Sequence, residues 1–213
     1  MKKNKAFFQK IAKQINPEEI PEEVLSHIKY SSLLDNLEFQ RKEDSCGLSS
    51  ARSMLRLQWG IKTEEAYLEE LMKEYNIKEI EIEGIEPRNL AKLIHHIGKE
   101  NQMDLKVFCI EKGDYNQLDW LRDNNILPIT HRKTRESNNI EHYEICLGSD
   151  KENIFLYNSY PDLSSSGFYK VSKSDFIKDW WPVRKLIRKE RWYLGTIERK
   201  KDLPKNLFNE EYL

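Results

Sequence analysis

Phe39-Gln40-Arg41-Lys42-Glu43-Asp44-Ser45-Cys46-Gly47-Leu48-Ser49-Ser50-Ala51-Arg52-Ser53-Met54-Leu55 carries most of what the chain says about itself. Leu48, Ala51, Met54 and Leu55 recur at helical spacing and the pattern closes near Gly60, which predicts a helix opening at Cys46. A cysteine at a helix N-terminus sits beside unpaired backbone N–H groups and a partial positive charge. Both favour thiolate over thiol. Gly47 leaves room for close approach of another backbone or of a substrate. Gln40 lies six residues before Cys46, and its side-chain amide could donate to a carbonyl oxygen that becomes an oxyanion under attack.

Working outward, the front half reads as helix. Asn16-Pro17-Glu18-Glu19 is a helix start, and Pro21-Glu22-Glu23 with Val24, Leu25 and Ile28 predicts another short helix. Thr63-Glu64-Glu65 is expected to cap a helix carrying Leu68, Leu71, Met72 and Tyr75, and Pro87 to open one carrying Leu90, Leu93, Ile94 and Ile97 that Gly98 stops. The back half reads mostly as strand: 105–110, 126–130, 142–147, 154–157, 168–171 and 192–197, with short helices over 115–123 and 174–181. Helices segregated from an antiparallel sheet predict an α+β fold. The expected organisation is a helical extension over 1–36, one domain over 37–199 and a loosely docked tail over 200–213.

Composition excludes several classes. The chain has 213 residues, 33% of them charged, and 35 basic against 36 acidic side chains, so nothing draws it toward nucleic acid or a membrane surface. Its three cysteines include no close pair, and neither a disulfide framework nor zinc spacing is present. Adjacent His95 and His96 point to different helix faces and cannot chelate one ion, and glycine-rich phosphate loops are absent. No metal or cofactor is expected. The opening run Met1–Lys10 is basic with no apolar run behind it, and no apolar segment reaches the roughly 18 residues of a membrane span. The expectation is a cytoplasmic, reducing setting without signal peptide or transmembrane segment.

A thiol nucleophile needs a base. His27, His95 and His96 read as surface residues, and His131, beside Arg132 and Lys133, as a solvent-facing loop residue. His142 opens the apolar strand Tyr143-Glu144-Ile145-Cys146-Leu147, where the sheet would hold it rigidly, as a general base must be held. A turn at 149–153 sends the following strand back, so Asn158 comes near His142 and can accept from its far ring nitrogen; Asp162 competes for that role. Cys109 and Cys146, in apolar strands, read as inert core fillers.

Gln40, then Cys46-Gly47 and its helix, then Leu127-Pro128-Ile129, His142-Tyr143 leading to Gly148, and Asp175-Phe176 with Trp180 or Trp181 together resemble papain-like cysteine peptidases. Among these the order is most similar to the bacteriocin-processing (double-glycine leader) peptidases and their free-standing relatives, over roughly residues 38–182. The resemblance implies the papain-like cysteine proteinase fold and hydrolysis of a peptide or amide bond in a peptide or protein substrate. It implies that Gln40 builds the oxyanion hole, Cys46 attacks, His142 is the base and Asn158 the orienter. The family usually carries aspartate followed by proline where this chain has Asn158-Ser159-Tyr160-Pro161-Asp162. A related thiol acyltransferase, or a catalytically silent domain that binds peptides or a partner protein, are the other readings.

Overall fold

The computed structural model describes residues 13–14, 16–25, 36–37, 39, 45–77, 79–80, 84–133, 141–159, 167–180, 191–205, 207–208 and 211–212. In chain order the strands are β1 (Lys13–Gln14), β2 (Glu79–Ile80), β3 (Gly84–Ile85), β4 (Leu105–Ile110), β5 (Ile129–Lys133), β6 (Glu141–Ser149), β7 (Asn153–Tyr157), β8 (Phe168–Ser172), β9 (Tyr193–Glu198) and β10 (Glu211–Tyr212). The helices are α1 (Glu22–Leu25), α2 (Cys46–Trp59), α3 (Glu65–Glu74), α4 (Pro87–Glu100), α5 (Tyr115–Asp123) and α6 (Lys173–Asp179). Among the described residues one antiparallel sheet runs β1-β8-β7-β6-β5-β9-β4-β10, and β2 pairs β3 apart from it. The α+β class expected from the sequence is the architecture observed.

The sheet is buried on both faces, because successive side chains of a strand point to opposite sides. On β4, Val107 and Cys109 join the core under α2, α3 and α4, while Phe108 and Ile110 join the core under α5 and α6. On β7, Phe155 and Tyr157 divide from Ile154 and Leu156 in the same way. The expected picture of helices packed on one side of a sheet therefore gains a second helical layer.

Helix α2 is the central element. Every residue from Cys46 to Leu55 is buried, including Ser49, Ser50, Arg52 and Ser53. Arg52 donates to Thr63 O at 2.9 Å and faces Glu65 at 3.8 Å. Gly60 closes the helix in the left-handed conformation, φ 69°. Trp59 Nε1 donates to Thr196 Oγ1 and Gln58 Nε2 to Thr196 O, both at 2.7 Å, which pins the C-terminal end of α2 to β9.

At the other end of α2, Gly47 has no space for a side chain. A Cβ there would stand 2.6 Å from Ile85 Cγ2 and 3.1 Å from Tyr143 Cδ2. The close approach that glycine permits is thus to β3 and β6, which seats the first turn of the helix against the sheet. Ser50 Oγ donates to Tyr143 O at 3.2 Å beside it.

Several boundaries differ from expectation for identifiable reasons. Glu64 and not Thr63 is the N-cap of α3, and it makes no side-chain cap bond. Helix α4 runs through Gly98 to Glu100, and Leu105 packs where a side chain at that glycine would lie. Strand β5 begins at Ile129, past Pro128, and extends to Lys133. Beyond Lys200 the described residues are integrated: Leu203 and Phe208 are buried, Phe208 meets Trp120 with ring centroids 5.3 Å apart, and β10 pairs β4. Ile28, Trp181 and Pro182 lie outside the described residues.

Two stability outcomes are expected. Gly47→Ala forces Ile85 and Tyr143 apart and costs about 1–3 kcal/mol by overpacking, and Phe208→Ala costs about 3–5 kcal/mol by opening a cavity. Urea unfolding midpoints of the two variants against the parent chain measure both.

Candidate active site

Cys46 is the first residue of α2, behind Ser45, and the first turn carries no acidic side chain that would cancel the positive end of the helix dipole. His142 is the second residue of β6, with its Cα paired to Arg132 on β5. Asn158 directly follows β7. The turn between β6 and β7 is closed by Asp150, whose carboxylate accepts from the backbone N–H of Glu152 at 2.7 Å and of Asn153 at 2.6 Å. The hairpin returns the chain so that Asn158 Oδ1 lies 2.7 Å from His142 Nε2. The backbone N–H of Asn158 is held by Gly167 O at 2.9 Å.

An amide oxygen can only accept, so Nε2 carries the proton toward Asn158. The other ring nitrogen, Nδ1, is left for the sulfur, and the Cys46 and His142 side chains each act on the other's ionisation.

Burial pushes the Cys46 thiol up, yet the His142 charge, its hydrogen bond and backbone hydrogen bonds from Tyr143 and Gly47 bring it below its ordinary value. Burial pushes His142 down. The Cys46 charge and hydrogen bond, the Glu144 carboxylate and the Asn158 hydrogen bond outweigh it and raise the imidazole to about 9. Both shifts have the same meaning: the arrangement favours thiolate facing imidazolium. Cys146, buried in an apolar strand, is pushed the other way, to about 12.

His131 departs from the sequence expectation of a solvent-facing loop residue. It lies on β5, is buried, and stacks on Tyr143 with ring centroids 4.4 Å apart. Its backbone N–H donates to Trp192 O across the strands. Burial, with the His142 charge beside it, lowers its imidazole to about 3, so it stays neutral. Tyr143 in turn donates from its hydroxyl to Ile85 O at 2.7 Å, which ties β6 to β3 next to Gly47. His95 and His96, expected on the surface, are half-buried.

Sequence reasoning missed a buried polar cluster beside His142. Arg132 Nε donates to Glu144 Oε2 at 2.6 Å, Arg132 donates to the Tyr169 hydroxyl at 2.7 Å, and that hydroxyl donates to Glu144 Oε1. A signal existed on one side only: Glu144 interrupts the apolar strand predicted over 142–147. Gln40 and Asp162 lie outside the described residues. Among the described residues no cluster of three or more His, Cys, Asp or Glu could hold a metal ion. A cavity of about 450 Å³ lies at the far end of α2, lined in part by Gln58, Trp59, Trp120 and Glu198, and contains none of the residues above. No described helix is long and apolar enough to cross a membrane.

No protein-family model matches the sequence, and no curated protein matches it significantly. Solved structures do resemble it. The peptidase domain of Streptococcus ComA, a bifunctional ABC transporter involved in quorum sensing, is 19% identical over 76% of this chain and 96% of its own, with a TM-score of 0.50. A C39-like peptidase from Bacillus anthracis is 17% identical over 79% of this chain and 98% of its own, with a TM-score of 0.54. The chain thus has the papain-like α+β fold of C39 peptidase domains.

Proposed function

We propose that this protein is a cysteine peptidase or amidohydrolase of the papain-like type, acting on a peptide or protein substrate without a cofactor. The observation that carries the reading is the His142–Asn158 hydrogen bond at 2.7 Å, with Cys46 at a helix N-terminus acting electrostatically on the same imidazole. In this reading residues 37–199 form the catalytic unit, and a reducing, cytoplasmic setting keeps Cys46 as a thiol.

The Cys46 thiolate attacks the scissile carbonyl carbon, and the electron pair of the C=O bond moves to oxygen. The backbone N–H of Cys46 and the Gln40 amide are assigned to hold that oxyanion. As it collapses, the C–N bond breaks and imidazolium at His142 gives its proton to the leaving amine, leaving a thioester on Cys46. Neutral His142 then takes a proton from water, and the hydroxide adds to the thioester. Expulsion of the sulfur releases the acid and restores thiolate and imidazolium. Asn158 keeps the ring aimed throughout by accepting from Nε2, although an amide stabilises imidazolium less than the aspartate usual in this family. Resolution by an amine in place of water would make the same site an acyltransferase.

One observation favours the second reading, a silent peptide-binding domain: the Cys46 residue is only 8% exposed. Alkylation separates the two. Near neutral pH, iodoacetamide is expected to modify Cys46 at least about 10-fold faster than Cys109 or Cys146, because reactivity follows thiolate content. Equally slow reaction at all three, located by peptide mass mapping, selects the binding domain.

With fluorogenic peptide-amide substrates, Cys46→Ala is expected to lower kcat by on the order of 10³-fold or more. Asn158→Ala is expected to lower it about 10²-fold, because His142, the proton-transfer group, loses the acceptor that aims it. Wild-type turnover in Cys46→Ala eliminates the mechanism. The pH profile follows from the two shifts. Activity appears as pH rises through the depressed Cys46 value and is lost as pH rises through about 9, where His142 gives up its proton. A kcat/KM profile tests both limbs.

A further inference from the structure

Glu144 is 1% exposed, and its carboxylate is gripped on both oxygens, by Arg132 Nε at 2.6 Å and by the Tyr169 hydroxyl. The grip is itself fixed, since Arg132 also donates to Tyr169 and lies 5.2 Å over the Phe176 ring. His142 and Glu144 are two apart on β6, so their side chains leave the same face of the sheet, and Arg132 is the cross-strand partner of His142. We infer that Glu144, clamped by Arg132 and Tyr169, is a positioning residue that keeps His142 charged beside Cys46. This rests on the Cys46–His142 pair proposed above.

The charges around the ring support it. His142 faces Cys46 from α2, Glu144 from its own strand, His131 and Arg132 from β5, and Asn158 after β7. Of these His131 is neutral, and Asn158 contributes only a dipole. Glu144 faces Arg132, Tyr169 and His142, and the buried Asp179 on α6 acts on Arg132 as well. One guanidinium therefore meets two carboxylates, and the balance beneath the imidazolium is negative. Burial pushes the Tyr169 hydroxyl well above its ordinary range, so it stays a donor to Glu144. Burial pushes the Glu144 carboxyl up too, but Arg132 and then His142 hold it below its ordinary value, so it stays ionised.

A buried ion pair can also be plain structural filling, replaceable by apolar side chains. The titration of the His142 ring, followed by NMR in the whole protein, separates the two. Glu144→Gln removes the charge and keeps the shape, Glu144→Asp keeps the charge, and R132M/E144L/Y169F fills the same space with apolar groups. Near-UV circular dichroism reports folding. The expected result is a His142 midpoint lowered by about 1 pH unit in Glu144→Gln and by less in the apolar triple, which removes the Arg132 charge as well, with Glu144→Asp near the parent value. Charge-free variants that fold and keep the parent midpoint overturn the inference. So does loss of the fold in Glu144→Gln with a parent midpoint in the triple. If His142 in the parent chain does not respond to Cys46→Ala, the ion pair itself is absent and the preceding functional reading fails instead.

Discussion

A thiol and an imidazole buried together take the charged form only if each is held fast beside the other, because burial alone opposes both charges. Here that constraint is met by docking the first turn of α2 against β6. Gly47 brings the helix to within side-chain contact of Tyr143 and Ile85, Ser50 bonds the main chain of β6, and Tyr143 bonds β3. The contact aims the positive end of the helix at the sheet. The sulfur then lies beside the strand that carries the ring, with Tyr143 contributing a backbone hydrogen bond. Much of the rest of the fold serves this junction. Thr196 holds the other end of α2, and the core residues of α3 and α4 pack with it.

The second requirement is to hold a charge that burial opposes. His142 gains it from several directions: sulfur on one side, Asn158 on another, Glu144 along its own strand. The neighbouring His131 is neutral, which matters because a second imidazolium at that distance would work against the first. The patch of sheet around His142 is thus polar on a face that elsewhere carries an apolar core. The Arg132–Glu144–Tyr169 cluster is the reason the polarity is tolerated, since each buried polar atom in it has a partner.

Legibility in the sequence followed periodicity and chain proximity. Strands β4 and β7 and helix α5 stood out because their apolar patterns are short and bounded by turns. The approach of Asn158 to His142 was readable because the hairpin returns the chain along β6, although a bulge between Cys146 and Gly148 shifts the register on the way. Ser49, Ser50, Arg52 and Ser53 were not readable as buried, because small and charged residues ordinarily mark a solvent face. The same habit hid His131 and Arg132. Charged neighbours in a chain say nothing about a partner such as Tyr169, 37 residues away. The edge strand β10 was missed because two residues carry no periodicity.

From the sequence alone came the α+β class, a helix beginning at Cys46, a strand beginning near His142 and an Asn returning beside it. These rest on local rules, since spacing, caps and turn residues act over a few positions. Whether the sulfur meets the imidazole, which carboxylate lies behind it and which polar residues are buried were decided by the tertiary structure. Those outcomes depend on desolvation and on contacts between elements roughly a hundred residues apart, which no local pattern encodes.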